Sequence, residues 1–134
     1  MTRARKPPAK ELELARVLLV DDDPLILTTT AEMLRELGHE PIAMSSANSA
    51  LEFLQASAPP DLAILDYAMP EMTGVRLADR IRETCPNLPL ILATGYSAGS
   101  KARADLPTLD KPYTMAALSR EIGLLAGRHK KSAS

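Results

Sequence analysis

A chain of 134 residues, 46% hydrophobic and 25% charged, has room for one core and is too apolar for wholesale disorder. Sixteen basic against seventeen acidic side chains leave a formal net charge of −1, with 3% aromatics and no Trp, which argues against a protein built to coat nucleic acid or to stack single-stranded bases. One cysteine, Cys85, excludes an internal disulfide and a cysteine-built zinc site, and no apolar run approaches the roughly 20 residues that cross a bilayer.

In chain order, residues 1–13 are charged, carry Pro7-Pro8 and read as a disordered tail. Acids in "ELELARVLLVDDD" interrupt what would have to be a signal peptide's apolar stretch, so no export signal is read and a cytoplasmic location is expected. "RVLLVD" is the first of five short apolar runs with the character of buried strands; the others are "EPIAM", "DLAILD", "LPLILAT" and "LPTLD". After the first, Asp23-Pro24 reads as an N-cap with Pro at the first helical position, and Ile26, Thr30, Met33, Leu34 and Leu37 form a helical stripe closed by Gly38. His39 follows in a turn and is expected at the surface.

Ala47, Ala50, Leu51 and Leu54 give the second helix, and Leu77, Ala78 and Ile81 the third, with Cys85 as inert packing near its end. Only sixteen residues lie between Thr94 and Lys111, including Gly95, Gly99 and Pro107, so a fourth helix around residues 98–104 is expected to be short and mobile. Met115, Leu118, Ile122 and Leu125 mark a last helix. "RHKKSAS", residues 128–134, reads as a disordered basic tail carrying His129, which leaves one domain over residues 14–127.

Strands alternating with helices imply a parallel sheet covered on both faces. All strand ends then share one edge, where open α/β sheets bind ligands. Asp21, Asp22 and Asp23 follow the first strand, Asp66 the third, Thr94 the fourth and Lys111 the fifth. Clustered carboxylates need a cation, and an oxygen-only set with room for phosphate and water suits Mg²⁺. Lys111 and Thr94 then supply charge and a hydroxyl donor for a transferring phosphoryl group, and Asp66 remains as the nucleophile. Met69 and Met72, flanking Pro70, read as gap-filling residues.

The ordered set "VDDDP", "LDYAMPEMTG", "LATGY" and "DKPY" resembles the receiver domain of two-component response regulators. That family shows an acidic pair after strand 1, D-x-x-M-P-x-M-x-G after strand 3, Thr or Ser after strand 4 and Lys-Pro after strand 5. The resemblance runs from about Arg16 to Ala126. It implies a flavodoxin-like receiver fold with sheet order 2-1-3-4-5 and helices on both faces. It further implies Asp66 as phospho-acceptor, and Asp21, Asp22, Asp66 and the backbone carbonyl of Ala68 as the Mg²⁺ site. Thr94 becomes the mobile hydroxyl, Lys111 the charge partner, and the Lys111–Pro112 peptide is expected to be cis. Asp23 is weighted toward helix capping over metal contact.

One departure stands out. The family commonly carries Tyr or Phe three residues before the lysine, and here that position is Thr108. Tyr96 is the candidate replacement for this aromatic switch, since "LPLILATGY" is similar to the F-A-T-G-x-Y subgroup of single-domain receivers, with Leu92 standing for its Phe.

The implied function is a stand-alone receiver that takes a phosphoryl group from the phosphohistidine of a sensor histidine kinase or histidine phosphotransfer protein and signals through protein contacts. It would act as an enzyme only on itself. Eight residues after Ala126 cannot build a DNA-binding module, so no nucleic-acid or membrane partner is expected. Two alternatives remain: a docking module that is never phosphorylated, and a haloacid-dehalogenase-type phosphatase suggested by D-x-D at Asp21 and Asp23. The second needs a further acidic motif after its lysine, where only Glu121 stands.

Overall fold

The computed structural model describes residues 15–95 and 106–133. The expected short fourth helix and Tyr96 lie outside the described residues. Five strands, β1 (Arg16–Val20), β2 (Glu40–Met44), β3 (Leu62–Asp66), β4 (Leu90–Thr94) and β5 (Thr108–Asp110), alternate with helices α1 (Pro24–Glu36), α2 (Ala47–Ala56), α3 (Gly74–Thr84) and α4 (Met115–Ala133). All strand pairs are parallel, in the order β2-β1-β3-β4-β5, as expected. Among the described residues no helix is long and apolar enough to cross a membrane.

Burial explains the strand sequences. β3 and β4 are buried at every position, which is why both read as unbroken apolar runs. β2 forms one edge and is only partly buried, so it tolerates Pro41, which has no N–H for a ladder bond. Side chains alternate across the sheet. Leu18, Val20, Leu65 and Leu92 pack with α2 and α3 through Ala50, Leu54, Leu77 and Ile81. Val17, Leu19, Ile64 and Ile91 pack on the other face with α1 and α4 through Ala31, Leu34, Leu118 and Ile122. Each of these Val, Leu and Ile side chains, fully buried, contributes about 1.5–3 kcal/mol.

Helix starts are set by local chemistry. The Asp23 carboxylate accepts hydrogen bonds from the N–H groups of Leu25 (2.9 Å) and Ile26 (3.3 Å), with Pro24 beginning α1. Ser46 caps α2 through the Ser49 N–H, and Thr73 caps α3 through the Arg76 N–H.

Three expectations need correction. The buried residues of α1 are Thr30, Ala31 and Leu34, with Leu27, Met33 and Leu37 packed against them, whereas Ile26 is only half-buried. Leu25, Ile26 and Leu27 are consecutive and cover too wide an arc for all three to face the core, so Leu25 is left 73% exposed. His39 is buried, not a surface residue. Gly38 adopts φ 93°, turning the chain inward so that the imidazole Nδ1 accepts the Ala15 N–H at 3.1 Å. Finally, α4 continues through residues 128–133, where the sequence suggested a frayed tail; Arg, Lys and Ala are good helix formers, and no proline stops them.

Candidate functional site: an acidic cluster held by a lysine

Asp21 follows β1 and is buried. Its Oδ1 accepts the Asp23 N–H at 2.9 Å, and its backbone N–H reaches the Met44 carbonyl at 3.2 Å. These two bonds fix Asp21 at the junction of β1 and β2. Asp22 beside it is exposed. Asp66 closes β3 and is 6% exposed.

The loop after Asp66 is tied down at both ends. The Tyr67 N–H donates to the Ala93 carbonyl, and the Gly74 N–H donates back to the Tyr67 carbonyl, each at 2.8 Å. Between them Met69 is buried in the core and Met72 packs against it. Gly74 sits so close beneath β3 that a Cβ there would lie 2.5 Å from the Asp66 carbonyl oxygen and 2.8 Å from Leu92 Cδ1. Glycine is therefore required by close approach; its backbone is not in the positive-φ region.

Lys111 follows β5, with its peptide bond to Pro112 cis. Its backbone N–H donates to the Thr94 carbonyl at 2.7 Å. Its ammonium donates to Asp66 Oδ1 at 2.8 Å and to Asp21 Oδ2 at 2.9 Å, with only 19% of the lysine side chain and 8% of each aspartate exposed. Next in the chain, the Tyr113 hydroxyl shares a 2.7 Å hydrogen bond with Thr30 on α1, which pins the Lys111 loop to that helix. Burial pushes the Tyr113 phenol above its ordinary range, against the opposing hydrogen bond from Thr30.

The ionisations follow from one ammonium serving two acids. Burial raises the Asp66 carboxyl above its ordinary value and the Asp21 charge adds to this; the Lys111 hydrogen bond and charge and the Ala68 backbone N–H pull the other way without winning. Burial alone would lower Lys111, but its hydrogen bonds to Asp66 and Asp21 outweigh that and raise it. Asp66 thus carries a charge that the fold accommodates poorly. A group raised in the folded state favours folding below its unfolded value and loses that contribution as pH rises through the folded one. Asp66→Asn, which keeps an acceptor for Lys111, is expected to raise the melting temperature of the metal-free protein at neutral pH. Melting curves at pH 7 and near pH 4 check this, since the gain should vanish at the lower pH.

Carboxylate oxygens of Asp21, Asp22 and Asp66 all lie within 4.8 Å of one another. Two are buried and one faces water, a donor set of hard oxygens open to solvent that fits a divalent cation of the Mg²⁺ type. Asp23 is not in this group, its carboxylate being engaged in capping α1.

Thr94 is fully buried at the end of β4. Its hydroxyl donates to Asp110 Oδ1 at 3.4 Å, so the geometry brings Asp21, Asp22, Asp66 and Lys111 together and points Thr94 to a different partner. Thr108 is exposed at the start of β5. Sequence reasoning gave no role to Asp110 or to the Tyr113–Thr30 bond, although Asp110 and Tyr113 stand in "DKPY". Beside the site, Leu25, Ile26, Met33, Lys111, Pro112 and Tyr113 line an open, largely apolar groove.

Comparison with known proteins agrees with this geometry. The response regulator receiver domain family matches residues 17–120. The chain is 39% identical over 90 residues to the sensor protein TorS of Escherichia coli, an alignment covering 67% of this chain and only 10% of TorS. It is 33% identical over 114 residues to the response regulator receiver protein CpdR of Brucella abortus, covering 81% of this chain and 94% of CpdR. Among solved structures, a response regulator receiver domain protein from Clostridium thermocellum superposes with a TM-score of 0.80 at 28% identity, over 87% of this chain and 97% of that one. With a family match over residues 17–120 beside its own sheet order β2-β1-β3-β4-β5 and its cluster of Asp21, Asp22 and Asp66, the chain belongs to the response regulator receiver domain family of two-component and phosphorelay signalling.

Proposed function

We propose that the chain accepts a phosphoryl group onto Asp66 from the phosphohistidine of a sensor histidine kinase or a histidine phosphotransfer protein, in a Mg²⁺-dependent reaction. The observation that carries this reading is the junction of Lys111 with Asp66 (2.8 Å) and Asp21 (2.9 Å), with Asp22 completing a group of three carboxylates. Asp21, Asp22, Asp66 and the carbonyl of Ala68 would hold the ion. When bound, it supplies positive charge against the phosphoryl oxygens.

An oxygen of the Asp66 carboxylate attacks phosphorus, the new O–P bond forms as the P–N bond breaks, and the bonding pair stays with the departing imidazole nitrogen. Lys111 holds Asp66 in place before the step and takes a phosphoryl oxygen after it. Burial of Asp66 keeps its oxygen poorly solvated and therefore nucleophilic. Thr94 completes the site when its hydroxyl turns to the phosphoryl group, and that turn shifts the balance between two arrangements of the β4–β5 edge. With Thr108 in place of the usual ring, Tyr96 is the switch residue in this reading. The protein alters only itself, by phosphorylation and slow hydrolysis, in the cytoplasm.

The apolar groove that Leu25 lines together with Lys111, the lysine that holds Asp66, supports a donor that packs apolar side chains against the exposed Leu25 while its phosphohistidine reaches Asp66. The test is phosphotransfer profiling against the histidine kinases and phosphotransfer proteins of the source organism, with Asp66→Ala as control. Label should pass to the wild type only, and only with Mg²⁺. Leu25→Asp should slow transfer from the preferred donor by about tenfold or more while leaving labelling by acetyl phosphate unchanged. Binding to a kinase without labelling by any donor would mark a pure docking module instead.

A further inference from the structure

The resting place of the Thr94 hydroxyl has a consequence for how readily the site switches. Thr94 is 0% exposed, and a buried hydroxyl needs a partner. Its partner is the carboxylate of Asp110, 3.4 Å away on the neighbouring strand. The sheet register explains why. Thr94 stands opposite Asp110, while Asp66 stands opposite Ala93. In a parallel pair, residues in register emerge on the same face and the next residue emerges on the other. Thr94 and Asp110 are therefore brought together by the β4–β5 pairing, and the β3–β4 pairing turns Thr94 away from Asp66. The Lys111 N–H bond to the Thr94 carbonyl, at 2.7 Å, locks this register directly beside the hydroxyl.

We propose that Asp110 is a positioning residue that competes with the phosphoryl group for the Thr94 hydroxyl and so sets the balance between the resting and the signalling arrangement. This rests on the reading of Asp66 as phospho-acceptor. In the resting protein the hydroxyl is donated to an anion on β5. After transfer, the phosphoryl oxygens on Asp66 are a second anionic acceptor, and the hydroxyl moves when these outcompete Asp110. The bond is long and Asp110 is exposed, which suits a latch weak enough to open. A hydrogen bond of ordinary net strength corresponds to a roughly three- to tenfold bias in such a competition.

The experiment is a double-mutant cycle between Thr94→Val and Asp110→Ala, read as the affinity of the protein for beryllofluoride with saturating Mg²⁺. Asp110→Ala should tighten binding roughly three- to tenfold when Thr94 is present and leave it unchanged in the Thr94→Val background. Equal tightening in both backgrounds would show that Asp110 acts only through its charge, and no tightening would show that it does not compete; either overturns the proposal. A second readout needs no phosphoryl mimic. In the ligand-free protein, three-bond couplings across the Thr94 χ1 angle should report one rotamer in the wild type and averaging in Asp110→Ala. Unchanged couplings would overturn the latch even where Asp66 accepts phosphate, whereas a wild type that takes no beryllofluoride but shows the coupling change would fail the phospho-acceptor reading and keep the latch.

Discussion

Gly74→Ala is expected to destabilise the protein by about 2 kcal/mol, a fall of roughly 8 °C in melting temperature, and to slow phosphorylation of Asp66. The added Cβ would stand 2.5 Å from the Asp66 carbonyl oxygen and 3.1 Å from its carbonyl carbon. Backbone cannot step aside as a long side chain can, so either α3 retreats from the sheet or the end of β3 shifts. Alanine's better helix propensity offsets only about 1 kcal/mol of this, at most. A shift of β3 moves the Asp66 carboxylate relative to Lys111, and a misplacement of about 1 Å can cost on the order of a hundredfold in rate. Thermal melting and acetyl phosphate labelling measure the two effects. Trimming Leu92 to Ala in the same protein removes the 2.8 Å side-chain contact but leaves the backbone clash, so the double variant should not recover. Recovery would place the obstruction at Leu92 instead.

Lys111→Met is the second large effect. It removes an ammonium that faces two nearly buried carboxylates, and breaking such a pair by deleting one partner costs about 3–5 kcal/mol. Because Asp66 is already raised by burial, it can relieve the variant by taking up a proton, and the loss should shrink as pH falls toward 4. Lys111 itself, raised above 10.5, contributes at every pH below the ordinary lysine value and ceases to do so only as pH rises through its folded one. Saturating Mg²⁺ should restore much of the lost stability, since an ion that binds only the folded state stabilises by mass action. Melting temperatures across pH, with and without Mg²⁺, decide the matter. A loss that is uniform in pH and indifferent to Mg²⁺ would make Lys111 a packing residue.

The sheet was legible because β3 and β4 are buried at every position and so leave unbroken apolar runs ending on Asp66 and Thr94. The strand order and site roles came from matching four motifs in sequence, and the acidic cluster followed once the strand ends shared an edge. Features that depend on pairing across the chain were not legible. The face of α1 was ambiguous because Leu25, Ile26 and Leu27 are all apolar and only the finished packing leaves Leu25 in solvent. His39 meets its partner Ala15 across 24 residues, and nothing local marks it as buried. In the sequence Gly74 is only the last residue of the motif after strand 3, whereas its role is the distance between α3 and β3. The Thr94–Asp110 contact is set by the register of β4 on β5, which periodicity cannot supply.

The most direct measurement is labelling with radioactive acetyl phosphate, with and without Mg²⁺, on the wild type and Asp66→Ala. A Mg²⁺-dependent label that hydroxylamine removes, present on the wild type and absent from the variant, is the predicted result. Label that persists in Asp66→Ala, or a folded wild type that takes none, would contradict the assignment of this acidic cluster as a phosphoryl-accepting site.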